Sequence, residues 1–196
     1  MKLIIINRLA PRSSLYFDIC QKSYEDFQKA KVKHDRLKND ELGITWSALQ
    51  ITNQQMLEHS TTATIFAALC LEAFIYDFAA MAFSDTFVQK YLDKLDFVSK
   101  WVVIPKLVLG KDFPRDSQAF EYLVKLRTAR HKLIHAKSRA IPTAQEKLVE
   151  VVDELEKEEE KDIEIAYHAV IKVLTELRKL DDTGETFKWW SFIEHP

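Results

Sequence analysis

The stretch 62–83, TATIFAALCLEAFIYDFAAMAF, decides how the rest of the chain must fold. It holds no Gly or Pro and is apolar nearly all round, which is the pattern of a helix surrounded by other elements rather than lying on a surface. Its length approaches that of a bilayer span. Glu72 and Asp77 lie within it, however, and each would cost about 2.5–3.5 kcal/mol near a membrane centre. The stretch is therefore expected to be the central helix of a bundle, with no membrane partner, and its carboxylates call for buried or half-buried partners.

Apolar spacing on either side supports the same architecture. From residue 15 to 37, Tyr16, Cys20, Tyr24, Phe27 and Val32 recur among charges and predict a long helix with one buried stripe, started by Ser13 or Ser14. A break is expected at 39–43, then a helical pattern over 44–57, with Ser60 or Thr61 capping the central helix. One or two shorter helices are predicted over 84–109, with Pro105 breaking or kinking the run and Gly110 ending it. Pro114, Asp116 and Ser117 open the next helix through Phe120, Leu123 and Val124. Thr143 and Glu146 form a capping-box pattern for a further helix. The block 156–162, nearly all Glu and Lys, reads as a solvated helix face or an overhanging turn. A final amphipathic helix follows, with Ile163, Tyr167, Val170, Leu174 and Leu177 at helical spacing.

The 196 residues include only 3 Gly and 5 Pro against 47% hydrophobic residues, too little punctuation for strands and turns. The reading is all-α, one domain over 1–196, with 1–12 an N-terminal arm or short strand and 181–196 an aromatic C-terminal tail around Trp189 and Trp190. That tail is expected to cover a bundle edge or to meet a partner. A net charge of −2 excludes recruitment of nucleic acid by bulk basicity, so any such contact requires a local patch. Two cysteines, Cys20 and Cys70, make no disulfide framework, and the short run 3–6 is no secretory signal. A cytoplasmic location is expected.

The stretch that carries chemistry is 126–138, LRTARHKLIHAKS, near the end of its helix. An imidazole exchanges protons near neutral pH, and a guanidinium holds phosphate oxygens with fixed charge and fork geometry. Arg130 and His135 together suffice for phosphoryl chemistry without a metal. In a regular helix they would lie ~140° apart and ~7.5 Å along the axis, so the helix must loosen near His135, the Arg must curl round, or two chains must share the site. Glu72, a carboxylate in an apolar helix, needs a cation, and Arg127, Arg130 and His131 are its nearest candidates; Asp77 either does the same or faces solvent at the bundle end. His131 and His135, four apart, could present two metal ligands, but neither an intervening Glu at the usual place nor a Cys-rich neighbourhood supports this. No metal or cofactor is expected. His34, His59, His168 and His195 read as surface or packing residues.

Arg130-His131 followed by His135 resembles the HEPN ribonuclease signature, an Arg, usually a polar residue, and a His after four to six intervening residues. His131 stands where Asn is commonest. Leu71-Glu72-Ala73-Phe74-Ile75 is similar to a Glu-Ala-Phe-Ile stretch that many such domains carry before the motif helix, with Tyr76 where Asn is frequent. The resemblance covers about 13–180 in helix order. It implies a HEPN-like antiparallel helical bundle with extra helices, acting as a metal-independent endoribonuclease through 2′-OH attack. It further implies a homodimer with a basic cleft between two motif helices, and a toxin, stress or phage-defence role with an antitoxin or regulatory protein as partner. His135 would be the acid or base and Arg130 the charge stabiliser, with Arg127, His131 and Lys132 binding RNA and Glu72 orienting Arg130. The alternative is a catalytically inactive HEPN-like module for binding or dimerisation.

Overall fold

The computed structural model describes residues 12–39, 46–135 and 145–182, and every element among them is helical. Helix α1 spans Arg12–Lys38, α2 Trp46–Ala82, α3 Asp85–Phe87, α4 Phe97–Leu109, α5 Gln118–Ile134 and α6 Gln145–Leu180, with a π-helical turn over Val88–Leu92 after α3. The expected N-terminal arm, most of the break at 39–43, the Thr143 cap and all but the start of the aromatic tail lie outside the described residues.

Helix α2 touches α1, α4, α5 and α6 and is the element around which the others assemble. Among the described residues it is the one helix long and apolar enough to cross a membrane, yet more than half of its most apolar window is buried in the bundle. Ala63, Ala67, Ala68, Cys70, Leu71, Phe74, Ile75 and Ala79 have no exposed surface at all. The small members of that set let neighbouring backbones approach closely, while Phe74 stacks with Phe78 and with Trp101 of α4 at centroid distances of 6.3 and 6.4 Å. Paired residues give the directions. Tyr16 meets Phe66 and His34 meets Thr52, so α1 and α2 are antiparallel. Tyr24 bonds Glu164 and Lys31 bonds Glu160, so α1 and α6 are antiparallel too. Lys172 bonds Gln118 and Lys132 meets Glu158, so α5 runs against α6.

Three local expectations are corrected. The patterns over 44–57 and 62–83 belong to one helix, because Ser60 is not a cap: its hydroxyl is buried and donates to the carbonyl of Glu159 on α6 at 3.1 Å. Pro105 lies inside α4 without ending it. The bond lost at its missing N–H is outweighed by the burial of Trp101, Ile104 and Pro105 itself, and the helix stops at Gly110, whose φ of 72° is the left-handed conformation glycine adopts without strain. The block 156–162 is not a turn but the middle of α6, where Lys157 and Lys161 form the exposed face expected of it while the acidic residues turn toward bases on α1 and α5. Glu156 is buried against Lys38, Glu160 pairs with Lys31 at 2.7 Å, and Glu158 pairs with Lys132. Other starts follow local chemistry. Ser117 caps α5 by accepting from Phe120 N at 3.2 Å, and Asp96 caps α4 by accepting from Val98 N and Ser99 N. The Ser99 side chain and these amides hold the Asp96 carboxyl below its ordinary range.

Because Phe74 is fully buried between two aromatic neighbours, Phe74→Ala is expected to cost about 3–5 kcal/mol in denaturant unfolding. A loss below about 1 kcal/mol would show that α2 is not the packed centre.

Candidate functional site

Helix α5 presents its core stripe, Ala119, Leu123, Leu126 and Ala129, to the bundle. Arg130 is next to the last of these and is only partly covered, with 29% of its side chain exposed. Its Nη1 lies 3.5 Å from Oε1 of Glu72, which is 28% exposed. Of the three basic groups that could answer the carboxylate on α2, Arg130 is the one paired with it. The contact is single and long, so it holds the guanidinium without enclosing it; a bidentate fork would hold it more firmly.

The regular helix ends at Ile134. His135 leaves it with φ −108° and ψ 23°, its amide bonding back to the carbonyls of His131 and Leu133. Its ring lies 4.4 Å from that of His131, tilted by 52°, and both residues are exposed. The regular helix therefore gives way at His135. Arg127 is exposed, and its charge also helps hold down the Asp96 carboxyl at the start of α4.

Lys132 projects elsewhere. It is gripped by Glu158 and lies 4.0 Å from Asp162, both on α6, whereas Arg130 pairs with Glu72 on α2 and the two histidines meet each other. Burial raises the Asp162 carboxyl above its ordinary range and Lys132 opposes that rise. Asp77, one of the two carboxylates of the central stretch, does not face solvent: it is buried. Among the described residues no three His, Cys, Asp or Glu side chains come together in a metal-binding group. Cys20 and Cys70 are both buried and unbridged, and burial pushes the Cys20 thiol up to about 12.

A second group of polar residues was hidden in the charge block. His34, 3% exposed, bonds through Nδ1 to the Thr52 hydroxyl at 2.8 Å. That hydroxyl also lies 3.2 and 3.0 Å from the carbonyls of Ala48 and Leu49, either of which can accept its proton. His34 Nε2 lies 3.2 Å from Glu156 Oε1, close but not aligned as a hydrogen bond. One turn further along α6, Glu159 is part-buried, and its carboxyl is pushed up to about 7 by burial first, then by Glu156, Asp162 and Glu158. The legible signal was spacing: 152, 156, 159, 163, 166 and 170 form one stripe at steps of four and three, which places Glu156 and Glu159 in line with Ile163, Ala166 and Val170.

Comparison of the chain with protein-family models, curated proteins and solved structures finds no match. The chemistry of these side chains is therefore the basis for any reading of function.

A carboxyl whose folded pKa is raised favours the fold when protonated. Its stabilising contribution is complete below its ordinary value of 4.5 and is lost as pH rises through about 7. Glu159→Gln is accordingly expected to be more stable than the parent at about pH 8, by on the order of 1 kcal/mol once solvent screening is allowed for, and to lose that advantage toward about pH 4.5. Thermal unfolding of both proteins across this range is the measurement. A pH-independent difference would refute the buried-acid assignment.

Proposed function

We propose that this all-helical chain is a HEPN-like endoribonuclease that cleaves RNA without a metal, with Arg130 and His135 as its catalytic pair. The observation that carries the reading is the way α5 ends: an exposed imidazole at His135 just beyond the last helical residue, and a guanidinium at Arg130 held from behind by Glu72. In the proposed reaction the ribose 2′-OH attacks the adjacent phosphorus and the bond to the 5′-oxygen of the next nucleotide breaks, leaving a cyclic phosphate and a 5′-OH. His135 moves the proton. Arg130 stabilises charge gathering on the phosphoryl oxygens, which a long, single contact to Glu72 leaves it free to do. Arg127 and His131 would bind the RNA backbone, and Lys132 would join them only on release from Glu158.

The same reading makes the protein a homodimer in which two α5 ends meet, concentrating positive charge that a net-acidic chain otherwise lacks. It would act as a toxin or as a stress or phage-defence effector, restrained by an antitoxin or regulatory protein. A second reading, a catalytically silent binding or dimerisation module, is favoured by one observation: Glu72 already answers the charge of Arg130.

Purified protein incubated with mixed RNAs in excess chelator is expected to leave cyclic-phosphate ends. His135→Ala should lower the rate by about 100-fold or more with unchanged helicity, and Glu72→Gln should lower it less. A requirement for added zinc or manganese would defeat the mechanism; no cleavage under any condition would favour the silent module.

The shared-site form has its own test. Arg130→Ala and His135→Ala chains, mixed so that subunits exchange, are expected to recover part of the lost activity. A strictly monomeric protein at micromolar concentration in light scattering would defeat the dimer.

A further inference from the structure

Just past the end of α2, three aromatic rings follow one another toward the surface. Phe83, part-buried against the core, meets Phe87 with ring centroids 5.2 Å apart, and Phe87 meets Tyr91 at 5.1 Å. Phe87 is 40% exposed and Tyr91 56%. A poorly anchored backbone is not the reason, because Val88 and Leu92 of the same π-helical turn are buried in the core. The fold thus fixes this segment and still leaves its flat apolar side chains to water, as at a surface kept for a partner.

This ladder adjoins the end of α5. Tyr76 stands one turn beyond Glu72 on the same face of α2, donates to Asp85 Oδ1 at 2.9 Å and accepts from Gln89 Nε2 at 3.2 Å, which ties it to α3 and the π-helical turn. Glu72 in turn meets Arg130, so connected contacts lead from the guanidinium to the rings. Phe83 is ~17 Å from Glu72 along the axis of α2. The carboxylates around the ladder are engaged: Asp85 accepts from Tyr76, Asp93 from Lys100 at 3.0 Å, and Asp96 from the amides that open α4. Lys90, Lys94 and Arg127 are exposed and form no ion pair among the described residues. A carboxylate-rich partner would answer these cations and leave the rings bare, and an aliphatic one would do the reverse. Flat apolar faces strung on an anionic chain answer both, which is the chemistry of an unpaired nucleic-acid strand.

We infer that the Phe83–Phe87–Tyr91 ladder binds unpaired bases of the RNA strand whose phosphate Arg130 holds, an inference that rests on the nuclease reading above. Bases stack on the open faces of Phe87 and Tyr91, and the phosphates that join them meet Lys90, Lys94 and Arg127. Lys90 Nζ lies 5.1 Å from the centre of the Tyr91 ring, and its flexible stem lets it swing from the ring to a phosphate as a base arrives. Arg127, one turn of α5 before Arg130, acts on Asp96 at the start of α4 and so bridges the space between the guanidinium and the ladder segment. Duplex RNA is a poor occupant, because its base faces are already stacked within the helix.

The test uses the full chain and a 2′-O-methyl oligouridine of about 12 nucleotides, which cannot undergo 2′-OH attack, so that binding is read whether or not the protein cleaves. Fluorescence anisotropy at fixed ionic strength follows its titration beside a duplex of the same length and an abasic strand of the same charge. The single strand is expected to bind at least about tenfold more tightly than either control, and Phe87→Ala and Tyr91→Ala should each weaken it about fivefold or more with an unchanged far-ultraviolet spectrum. Tyr91→Trp, which keeps a flat ring, should retain binding. Tyr91→Leu, apolar but without one, should lose it as Tyr91→Ala does, and this exposed position serves if Phe87→Ala does not fold. No binding of the single strand, equal affinities for it and either control, or equal affinities in parent and variants would each overturn the inference. So would full binding by Tyr91→Leu, the pattern of a face for an apolar protein partner. Cleavage in chelator that needs His135, with ladder variants binding like the parent, would sink the ladder and leave the nuclease reading standing; ladder-dependent binding without any cleavage would do the reverse.

Discussion

Covering α2 on all its sides is the requirement from which the rest of the architecture follows. A surface helix carries an apolar stripe little more than 100° wide, so no single neighbour can cover a helix that is apolar around most of its circumference. Helix α1 brings Phe17, Cys20 and Phe27, α5 brings Leu123 and Leu126, α6 brings Ile163, Ala166, Val170 and Leu174, and α4 closes one end with Trp101. Each of these helices is amphipathic because it has only one neighbour of this kind to serve. Polar atoms are tolerated in α2 where another element answers them, as Arg130 answers Glu72 and as the Glu159 carbonyl answers Ser60.

The elements that depend on local pattern were legible. The Ser117 cap and the Gly110 stop needed only turn chemistry, and the α1 stripe was legible as far as Phe27, whereas Val32, read into that stripe, is 51% exposed and Ala30 and His34 are buried beside it. What was not legible depended on partners far away in sequence. Ser60 has the side chain of a helix cap, and only the presence of α6 beside it turns its hydroxyl into an interhelical donor. The block 156–162 has the composition of a solvated face, and one side of it is drawn into the bundle because bases on α1 and α5 flank it there. At the candidate site, the carboxylate on α2 announced its need for a cation, but which of three bases would meet it depended on how α5 is rotated against α2. The separation of Lys132 from its sequence neighbours has the same origin, since one residue's advance around a helix is enough to face a different partner.

The two polar regions are built on opposite principles. At the end of α5 the backbone leaves the helix, so His135 is positioned by a terminus and by a ring contact with His131. Around Glu159 the backbone is regular helix, and the side chains are positioned by two continuous rods, α2 and α6. Asn53, which lines a small cavity with Glu159, and Glu72 stand on the first of these rods, 19 positions apart, or ~28 Å along the axis. The two regions are thus distinct in place as well as in charge, yet they share a stiff support.

The same layout has a consequence for how the chain is made. The α1–α2 hairpin closes over a short connection, whereas α6 finds its partners on α1 at separations of 129 and 140 residues. Local contacts form quickly and distant ones wait for loop closure. On a ribosome adding ~5–20 residues per second, α2 is complete for roughly 5–20 s before the last of α6 is synthesised, and for that interval one flank of the most apolar helix is bare. The nascent hairpin is a natural client for whatever shields apolar surface during translation, and arrival of α6 is the event that ends that dependence.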